Sequence, residues 1–294
     1  MTYVTVGDFD GVHQGHRTLL RRMVTAAAER NARTLAITFD RNAKAFLGGT
    51  PSLCLSSPEE KRALILAEGV DEVVSLPFDK AFSQISANKF LALLRTKFDC
   101  TDLFGGEDFR FGRNGVGRLT DGMVSEGILQ HVVDFKTDFV KISSSSIRSA
   151  LHDGLVDRAN LWLGYAYSIS GVVTEGKHLG RTIGFPTINI TPPAEKVLPC
   201  NGVYITETLS DGTVYRSVTN VGVRPTVESN GERNVETHLL YADGDFYGKA
   251  VTVRFLAHLR DEIHFPDVSV MMQQLRADRD AAFAWHENGM FPNQ

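Results

Sequence analysis

The chain changes character once, near Gly164, and this change restricts its possible folds more than any other feature. Upstream, short β-rich runs alternate with amphipathic helical segments, which is typical of a mostly parallel sheet with helices on its faces. Downstream, strand-like runs are separated by turn signals, including the Asp-Gly pairs at 211–212 and 243–244. We therefore predict an α/β domain followed by a closed antiparallel β-barrel, with a final helix packed against the barrel.

A length of 294 residues fits two domains. We predict the α/β domain over residues 1–150, a helical connector over 151–164 and the barrel domain over 165–294. In the first domain, Ser57-Pro58-Glu59-Glu60 is the pattern of an N-cap, a proline at N1 and a capping-box glutamate, so a helix is expected there. A second helix is expected over 86–98, and strands are expected over 2–6, 33–39, 72–78, 101–106 and 128–135.

Composition and charge exclude several classes of protein. A net charge of −4 gives no sign of a nucleic-acid-binding surface, and no apolar run approaches the roughly eighteen residues of a membrane span. Cys54, Cys100 and Cys200 are widely spaced and odd in number, which favours reduced thiols over a disulfide framework. The first ten residues lack the features of a signal peptide. We expect a cytoplasmic protein with no nucleic-acid or membrane partner, and the sequence leaves self-association open.

The motif His13-x-Gly15-His16 lies where the first strand leads into the first helix. Free N–H groups and the positive dipole end at a helix start attract phosphate, and two imidazoles add further donors. Gly15 would let the backbone approach a ligand closely. This composition suits phosphoryl or nucleotidyl transfer, in which negative charge must be positioned and stabilised. A solvated loop with two surface histidines is the alternative that four residues alone leave open.

A second pair of polar residues, Thr187-x-Asn189, lies in the strand-like run GFPTINI. Alternation along a strand places both side chains on one face. A hydroxyl and an amide oxygen are hard, neutral ligands, which suit Mg²⁺ that takes its negative ligands from nucleotide phosphates. Mutual pairing of the two side chains near a strand end is the alternative.

The nearby GVVTEGKH has the G-x4-G-K spacing of a P-loop. However, His178 replaces the required Ser or Thr and no helix pattern follows, so we reject that interpretation.

Many segments resemble one family, in the same order along nearly the whole chain. GDFDGVHQGH, GVDEVVSLPF, FGGEDFRFGRNGVG and ISSSSIRSAL resemble the bacterial FAD synthetases, which belong to the H-x-G-H nucleotidylyltransferases. GKHLGRTIGFPTINI, NGVYI, NVGVRPT, VETHLL, DFYGK and LRDEIHF resemble the riboflavin kinase domain that follows in the bifunctional bacterial riboflavin kinase/FAD synthetases. The resemblance implies a Rossmann-like nucleotidylyltransferase domain and a riboflavin-kinase barrel with a C-terminal helix.

For the first domain, the resemblance implies that His13 and His16 bind the ATP triphosphate. Ser144, Ser145 and Arg148 in ISSSSIR would form a second phosphate-binding segment, since hydroxyls and an arginine at a helix start complement anionic oxygens. The remaining nucleotide-binding residues that the resemblance implies are Gly7, Phe9, Gly15 and Asp108.

This sequence departs from the family pattern at several of these positions. Asp8 stands where the family usually has Asn, and Ser145 and Ser146 stand where it has Thr and Arg. A proline–histidine–proline segment that commonly follows the second strand is replaced by residues 41–43, Arg-Asn-Ala. A phosphate- or flavin-facing histidine is therefore missing, and Arg41 or Lys44 is the candidate replacement cation.

For the second domain, the resemblance implies that Glu236 in VETHLL is the general base that accepts the proton of the ribityl 5′-hydroxyl. Thr187 and Asn189 would hold Mg²⁺, and Arg260 and Phe265 in LRDEIHF would lie near the flavin. The residues expected in a loop that closes on ATP are Gly176, Gly180 and Arg181.

The resemblance implies two reactions, phosphorylation of riboflavin to FMN with ATP and adenylylation of FMN to FAD with release of pyrophosphate. Two alternatives stay open. One is a monofunctional enzyme, either a kinase with a weakened adenylyltransferase domain or, with less support, the reverse. The other is a flavin- or nucleotide-binding sensor without turnover. Retention of Glu236, His13 and His16 argues against the sensor, because binding alone needs no base.

Overall fold

The computed structural model describes residues 1–48, 53–134, 142–175, 184–223, 233–242 and 244–288. Its contacts divide the chain into two compact units, Met1–Ser144 and Ser145–Gln294. All three cysteines are free thiols. Among the described helices, none combines the length and the hydropathy that crossing a membrane requires.

The first unit is a six-stranded sheet with helices in its connections. The strands of this unit are β1 (Thr2–Val6), β2 (Arg33–Phe39), β3 (Glu72–Leu76), β4 (Cys100–Gly106), β5 (Arg110–Phe111), β6 (Gly117–Arg118), β7 (Val124–Ser125) and β8 (Ile128–Val133). β5 and β6 pair with each other in a separate two-stranded sheet, and the other six strands form the main sheet. The helices are α1 (Gln14–Ala28), α2 (Ala43–Gly48), α3 (Pro58–Leu66), α4 (Lys80–Ser83) and α5 (Ala87–Phe98). The strand order is β3-β2-β1-β4-β8-β7, parallel except for β7, and this confirms the predicted α/β class.

Successive residues of β1 pack on opposite faces of this sheet, as strand alternation requires. Tyr3 belongs to a core cluster that includes Leu20 and Met23 of α1. Val4 belongs to a second cluster that includes Leu94 of α5. Both faces of β1 are therefore buried, which explains why its sequence shows no simple polar alternation.

The predicted capping box begins α3. The Ser57 hydroxyl accepts the N–H of Glu60, and the Glu60 carboxylate accepts the N–H of Ser57 at 2.8 Å. α3 also carries the chain to Glu68, a buried carboxylate that accepts hydrogen bonds from Arg17 and Arg21 of α1 at 2.6 and 2.5 Å. α1 is thus tied to the end of the α3 segment by two ion pairs, which fixes the helix that follows the opening motif.

The strand order reverses between β1 and β4, since β2 and β3 lie on one side of β1 while β4 and β8 lie on the other. In such sheets, ligands bind at the carboxyl ends of the strands where the order reverses. The turn over residues 7–13 follows β1, and Asp108 follows β4. The topology therefore brings the opening motif and the Asp108 segment to the same edge of the sheet.

The second unit is a closed barrel with helices before and after it. Its elements are α6 (Ser144–His152), α7 (Val156–Leu163), β9 (Ser168–Thr174), β10 (Thr187–Ile190), β11 (Gly202–Ser210), β12 (Thr213–Val223), β13 (Arg233–Leu239), β14 (Ala250–Arg260) and α8 (Val268–Asn288). The strand order is β10-β13-β12-β11-β14-β9, and β9 pairs with β10 to close the barrel. All of these pairs are antiparallel, which confirms the predicted barrel. The first four residues of the rejected P-loop pattern, 171–174, lie in strand β9.

The two Asp-Gly pairs have different outcomes. Asp211 and Gly212 connect β11 to β12, with φ of 47° and 79°, as a two-residue hairpin turn with both central residues left-handed requires. The prediction of a second hairpin at 243–244 is wrong, because the flanking strands β13 and β14 are not neighbours in the barrel. Asp243 itself lies outside the described residues. A long connection there carries the chain across the barrel, and turn propensity alone does not reveal strand order.

A row of buried, hydrogen-bonded hydroxyl groups lies on the inside of the barrel. Adjacent hydroxyl oxygens are 2.8 to 2.9 Å apart along the series Thr208, Ser217, Thr206, Thr219 and Thr237, which spans β11, β12 and β13. On the outside, Ala282 of α8 packs in an apolar cluster with Ile205 of β11. The predicted packing of the C-terminal helix against the barrel is confirmed.

Candidate active sites

The turn after β1 has a strained backbone. Phe9 and Val12 have φ of 47° and 35°, a left-handed conformation that costs a side-chain-bearing residue on the order of 1–3 kcal/mol. The N–H of Gly7 donates to the carbonyl of Ile37 at 3.0 Å, and the N–H of Val12 donates to the carbonyl of Phe9 at 3.1 Å. The turn therefore connects the end of β1 at Val6 to the start of α1 at Gln14 within a few residues.

Two imidazole rings are stacked at the start of α1. His13 is the N-cap residue, and its ring centroid lies 3.7 Å from that of His16, with an interplanar angle of 16°. Gly15 makes room for this arrangement, because a Cβ there would lie 3.3 Å from two atoms of the His13 ring. The buried ring of Phe9 meets His16 edge-on at 5.2 Å, so Phe9 supports an imidazole with its side chain.

Both imidazoles are neutral at pH 7. Burial lowers the pKa of His13 to about 4. Burial, followed by repulsion from His13 when it is protonated and from the Lys61 ammonium, lowers the pKa of His16 well below its usual value. The Nδ1 atoms of both rings are buried and find no hydrogen-bond partner within the described part of the chain. Since buried polar atoms are normally paired, two unpaired ring nitrogens at a helix start indicate a site for a polar, anionic ligand.

The Asp10 carboxylate joins this turn to the segment before α3 by hydrogen bonds. Its Oδ1 accepts the N–H groups of Leu55 and Ser56 at 2.8 and 3.3 Å, and the Ser56 hydroxyl accepts the N–H of Gly11 at 3.0 Å. The side chain of Asp10 is thus engaged with the segment before α3. One of the two carboxylates in GDFDGVHQGH therefore has a structural role.

One residue of the predicted second phosphate-binding segment, Ser144, contacts the opening turn. The Ser144 hydroxyl donates to the Asp10 carbonyl at 2.9 Å, so Ser144 contacts the opening motif. Ser145 is exposed and Arg148 half-buried, and both lie on α6, which begins at the boundary between the two units. Asp108 is exposed, two residues beyond β4.

Residues 41–43, where the resemblance predicts proline–histidine–proline, include the exposed Arg41. The guanidinium of Arg41 lies 5.6 Å from the centroid of the Phe46 ring, and its Nε is 3.4 Å from Oδ1 of Asp40. The side chain of Lys44 lies outside the described part of the structure. Arg41 is therefore held on its own loop by neighbouring groups.

A different cation lies against the ends of β1 and β2. The Lys61 ammonium donates to the Asp8 carbonyl at 3.0 Å, to the Thr38 hydroxyl at 3.1 Å and to the Phe39 carbonyl at 3.4 Å. The Asp8 carboxylate accepts the N–H of Ala43 at 3.1 Å, at the start of α2. Sequence reasoning missed Lys61, because in sequence it is only one charged residue on an amphipathic helix.

The second site lies on one face of β10 and β13. The Thr187 hydroxyl donates to Oε1 of Glu236 at 2.6 Å. Asn189 is directly opposite Glu236 in the strand register, and its Oδ1 accepts a hydrogen bond from the side-chain amide of Asn234 at 3.0 Å. The structure therefore brings the predicted Thr187, Asn189 and Glu236 together. Asn234 was missed, although its spacing of two from Glu236 places it on the same face.

His238 fixes the other end of this face. It is directly opposite Thr187, and its Nδ1 is 2.8 Å from the Pro186 carbonyl, so Nδ1 must carry the proton. Its ring lies 5.4 Å from that of Phe185, and burial lowers its pKa. His238 is thus a neutral donor that holds the residue just before Thr187.

The donors on this face fit a hard cation. In the part of the chain that the structure describes, no three His, Cys, Asp or Glu side chains form a metal-binding group. Thr187 and Asn189 instead offer neutral oxygens, with the Glu236 carboxylate adjacent. Such a set suits Mg²⁺ that arrives with nucleotide phosphates and keeps several of their oxygens.

The two residues predicted near the flavin have different environments. Arg260 forms a bidentate ion pair with Asp278 of α8, at 2.9 and 2.7 Å, so its guanidinium ties β14 to the C-terminal helix. Phe265 is half-buried in the segment before α8. The three residues of the predicted ATP loop lie outside the described residues: Gly176, Gly180 and Arg181.

Comparison with known proteins identifies the family. The FAD synthetase family matches residues 1–150, and the riboflavin kinase family matches residues 163–286. The bifunctional riboflavin kinase/FMN adenylyltransferase of Pseudomonas fluorescens is 33% identical over 285 residues, covering 95% of this chain and 91% of its own. The Escherichia coli K12 protein of the same name is 34% identical over 286 residues, covering 94% and 90%. This chain belongs to the bifunctional riboflavin kinase/FMN adenylyltransferase family.

A solved structure has a similar fold. A crystal structure described as a macrolide-efflux protein from Streptococcus pneumoniae superposes with a TM-score of 0.86 at 29% identity. The match covers 97% of this chain and 94% of that one, so the two share their fold over both parts. The FAD synthetase match covers the sheet with its stacked imidazoles, and the riboflavin kinase match covers the barrel with its Thr187–Glu236 contact.

Proposed function

We propose that this chain carries out two consecutive transfers in flavin cofactor synthesis. The barrel transfers the γ-phosphoryl group of ATP to riboflavin, which gives FMN and ADP. The α/β unit transfers AMP from a second ATP to FMN, which gives FAD and pyrophosphate. The observation that carries the two-step proposal is the pair of buried imidazole nitrogens of His13 and His16 that have no hydrogen-bond partner among the described residues, because the kinase reaction alone has no use for them.

In adenylyl transfer, a phosphate oxygen of FMN attacks the α-phosphorus of ATP and pyrophosphate leaves. The protein stabilises the charge on the phosphates rather than forming a covalent bond. His13 and His16 would bind the triphosphate as neutral donors, together with the free N–H groups at the start of α1. The further groups that would contact the nucleotide are Gly7, Phe9, Gly15, Asp108, Ser144, Ser145 and Arg148.

In the kinase reaction, the terminal hydroxyl of the ribityl chain attacks the γ-phosphorus of ATP. Glu236 would accept the hydroxyl proton, and its bond from Thr187 fixes the carboxylate in place. Thr187 and Asn189 would hold Mg²⁺, which when bound supplies positive charge to the clustered phosphates. Asn234 and His238 would keep this face aligned, since each bonds to a residue of the Thr187–Asn189 strand or its preceding turn.

We also propose that the units act as domains with limits 1–150 for the adenylyltransferase, 151–164 for a connector and 165–294 for the kinase. Limited proteolysis followed by mass spectrometry tests these limits. Cleavage concentrated in residues 151–164 supports them, and cleavage confined to other segments contradicts them.

A product assay tests the activities. The pure protein is incubated with riboflavin, or separately with FMN, each with ATP and Mg²⁺, and the flavins are separated by chromatography. We expect FMN followed by FAD in the first mixture and FAD in the second. Formation of FMN without any FAD at high enzyme concentration would restrict the protein to kinase activity. Absence of both products would leave only a binding function.

A further inference from the structure

The opening turn poses an electrostatic problem for the proposed adenylyl transfer. A triphosphate must bind next to two carboxylates, Asp8 and Asp10, and the two imidazoles there are neutral at pH 7. Unscreened negative charge within a few ångströms opposes an anionic ligand. A fixed positive charge close to the turn would offset this repulsion.

Lys61 is a cation that contacts this turn directly. Its ammonium group reaches from α3 to three oxygens at the carboxyl ends of β1 and β2, those of Asp8, Thr38 and Phe39. The negative charges of Asp8 and Asp10 favour its protonated form, while burial, the larger effect, lowers its pKa. Its charge also contributes to the low pKa of His16. The charge of Lys61 therefore interacts electrostatically with both carboxylates and with the His16 imidazole.

The three hydrogen bonds of Lys61 have a second effect. A lysine ammonium has three N–H donors and no acceptor, so three oxygen partners satisfy it completely. Two of those partners are carbonyls from neighbouring strands, Asp8 after β1 and Phe39 in β2. The ammonium therefore joins the strand ends from which the opening turn and the 40–43 segment leave the sheet.

We propose that Lys61 is a positioning residue for adenylyl transfer, which offsets the carboxylates of the opening turn and holds the ends of β1 and β2 together where ATP binds. This inference rests on the proposed function of the first unit. Arg41, the candidate cation among residues 41–43, is exposed and lies beside Asp40, whereas the Lys61 ammonium contacts the Asp8 carbonyl directly.

The test compares steady-state kinetics of FAD formation from FMN and ATP-Mg²⁺ in the full-length chain. For Lys61→Met, we expect kcat/KM for ATP to fall about 10- to 100-fold, since a preorganised charge that stabilises phosphates is lost. FMN formation by the barrel of the same protein is the internal control and should change less than about twofold. Arg62→Met is the matched control, because it removes the same charge from an exposed neighbouring position on α3. It should leave both reactions at wild-type rates.

A rescue experiment separates charge from mere folding support. Asp8→Asn keeps the oxygen that accepts the Ala43 N–H but removes the negative charge. Added to Lys61→Met, it should restore kcat/KM by about threefold or more, because less negative charge then faces the triphosphate. Should Lys61→Met fail to fold, Lys61→Gln keeps a polar donor without the charge and should show the same loss and the same rescue.

The outcomes distinguish the two proposals. Wild-type kinetics in Lys61→Met or Lys61→Gln, or a loss that Asp8→Asn does not relieve, would overturn the role of Lys61. Wild-type protein that forms no FAD would overturn the proposed adenylyl transfer itself. Loss of kcat/KM with rescue supports both.

Discussion

The two candidate sites of this chain are built in opposite ways. The site in the first unit lies on a turn with two left-handed residues, Phe9 and Val12, and depends on support from distant segments such as Ser56 and Ser144. The site in the barrel lies on two paired strands, where register alone aligns Asn189 with Glu236. The first site requires many separate segments to meet, whereas the second needs only one correct strand pair. We therefore expect the first to be more sensitive to substitutions remote from the chemistry.

The largest effect is expected at Glu236, and it tests whether the barrel site acts independently. Glu236→Gln keeps the acceptor for Thr187 but removes the base, so FMN formation should fall about 10²- to 10⁴-fold. FAD formation from FMN should be unchanged, as measured by chromatography of the products. Glu207→Gln, on β11 of the same barrel, is the control and should retain activity. Normal FMN formation in Glu236→Gln would refute the assigned base.

The next effect concerns the imidazole pair. His16→Ala should lower FAD formation about 10²- to 10³-fold, because a preorganised donor for the triphosphate is lost. FMN formation should be spared, and both products are measured in one assay. His152→Ala is the control, since that side chain is 88% exposed on α6. Equal loss of the two activities would show that the sites are not separate.

The third prediction concerns the ion pair between Arg260 and Asp278, in which the carboxylate is buried and the guanidinium largely so. Asp278→Asn should lower the stability of the second unit by about 3 kcal/mol or more, because a largely buried guanidinium is left without its carboxylate. Thermal unfolding followed by tryptophan fluorescence, which comes from Trp162 on α7 and Trp285 on α8 of the second unit, measures this loss. If Arg260 acted mainly on the flavin, the melting temperature would stay constant while KM for riboflavin rose.

The smallest predicted effect depends on pH. The pKa of His13 is about 4 in the folded chain and near 6.5 when unfolded, so the unfolded chain binds more protons between these values. The free energy of unfolding of the first unit should therefore fall as the pH drops from about 6.5 to 4, by on the order of 3 kcal/mol for His13 alone. Hydrogen exchange of α1, measured by mass spectrometry against pH, tests this. In His13→Asn the dependence should weaken, and an unchanged profile would show that protonation of the His13 imidazole is not its cause.

Sequence reasoning was accurate where a local pattern determines structure. β2 spans the predicted residues 33–39, and Ser57 caps α3 as the capping box indicates. The same-face arrangement of Thr187 and Asn189 followed from strand alternation. Contacts between distant segments could not be obtained in this way. Neither the stacking of His13 on His16 nor the reach of Lys61 to β1 follows from residue spacing, because both depend on tertiary packing.

Turn-forming residues also do not determine which strands are neighbours in the barrel. The Asp-Gly pair at 211–212 connects adjacent strands, whereas the pair at 243–244 lies between strands that occupy distant places in the barrel. A dipeptide specifies how the chain reverses locally but not which strand it joins next. The pairing of Arg260 with Asp278 was hidden for the same reason, since 18 residues and a change of element separate them.

The row of hydroxyl groups inside the barrel restricts which amino-acid substitutions this protein can accept during evolution. Thr206, Ser217 and Thr219 each share hydrogen bonds with two neighbours, so replacing Thr206 alone with valine would remove one partner from each of the buried hydroxyls of Ser217 and Thr219. Replacing the whole set with apolar residues of similar shape would leave no such orphan. Substitutions at these positions should therefore occur together. We expect relatives to have either hydroxyl side chains at all of these positions or apolar side chains at all of them, and mixtures should be rare.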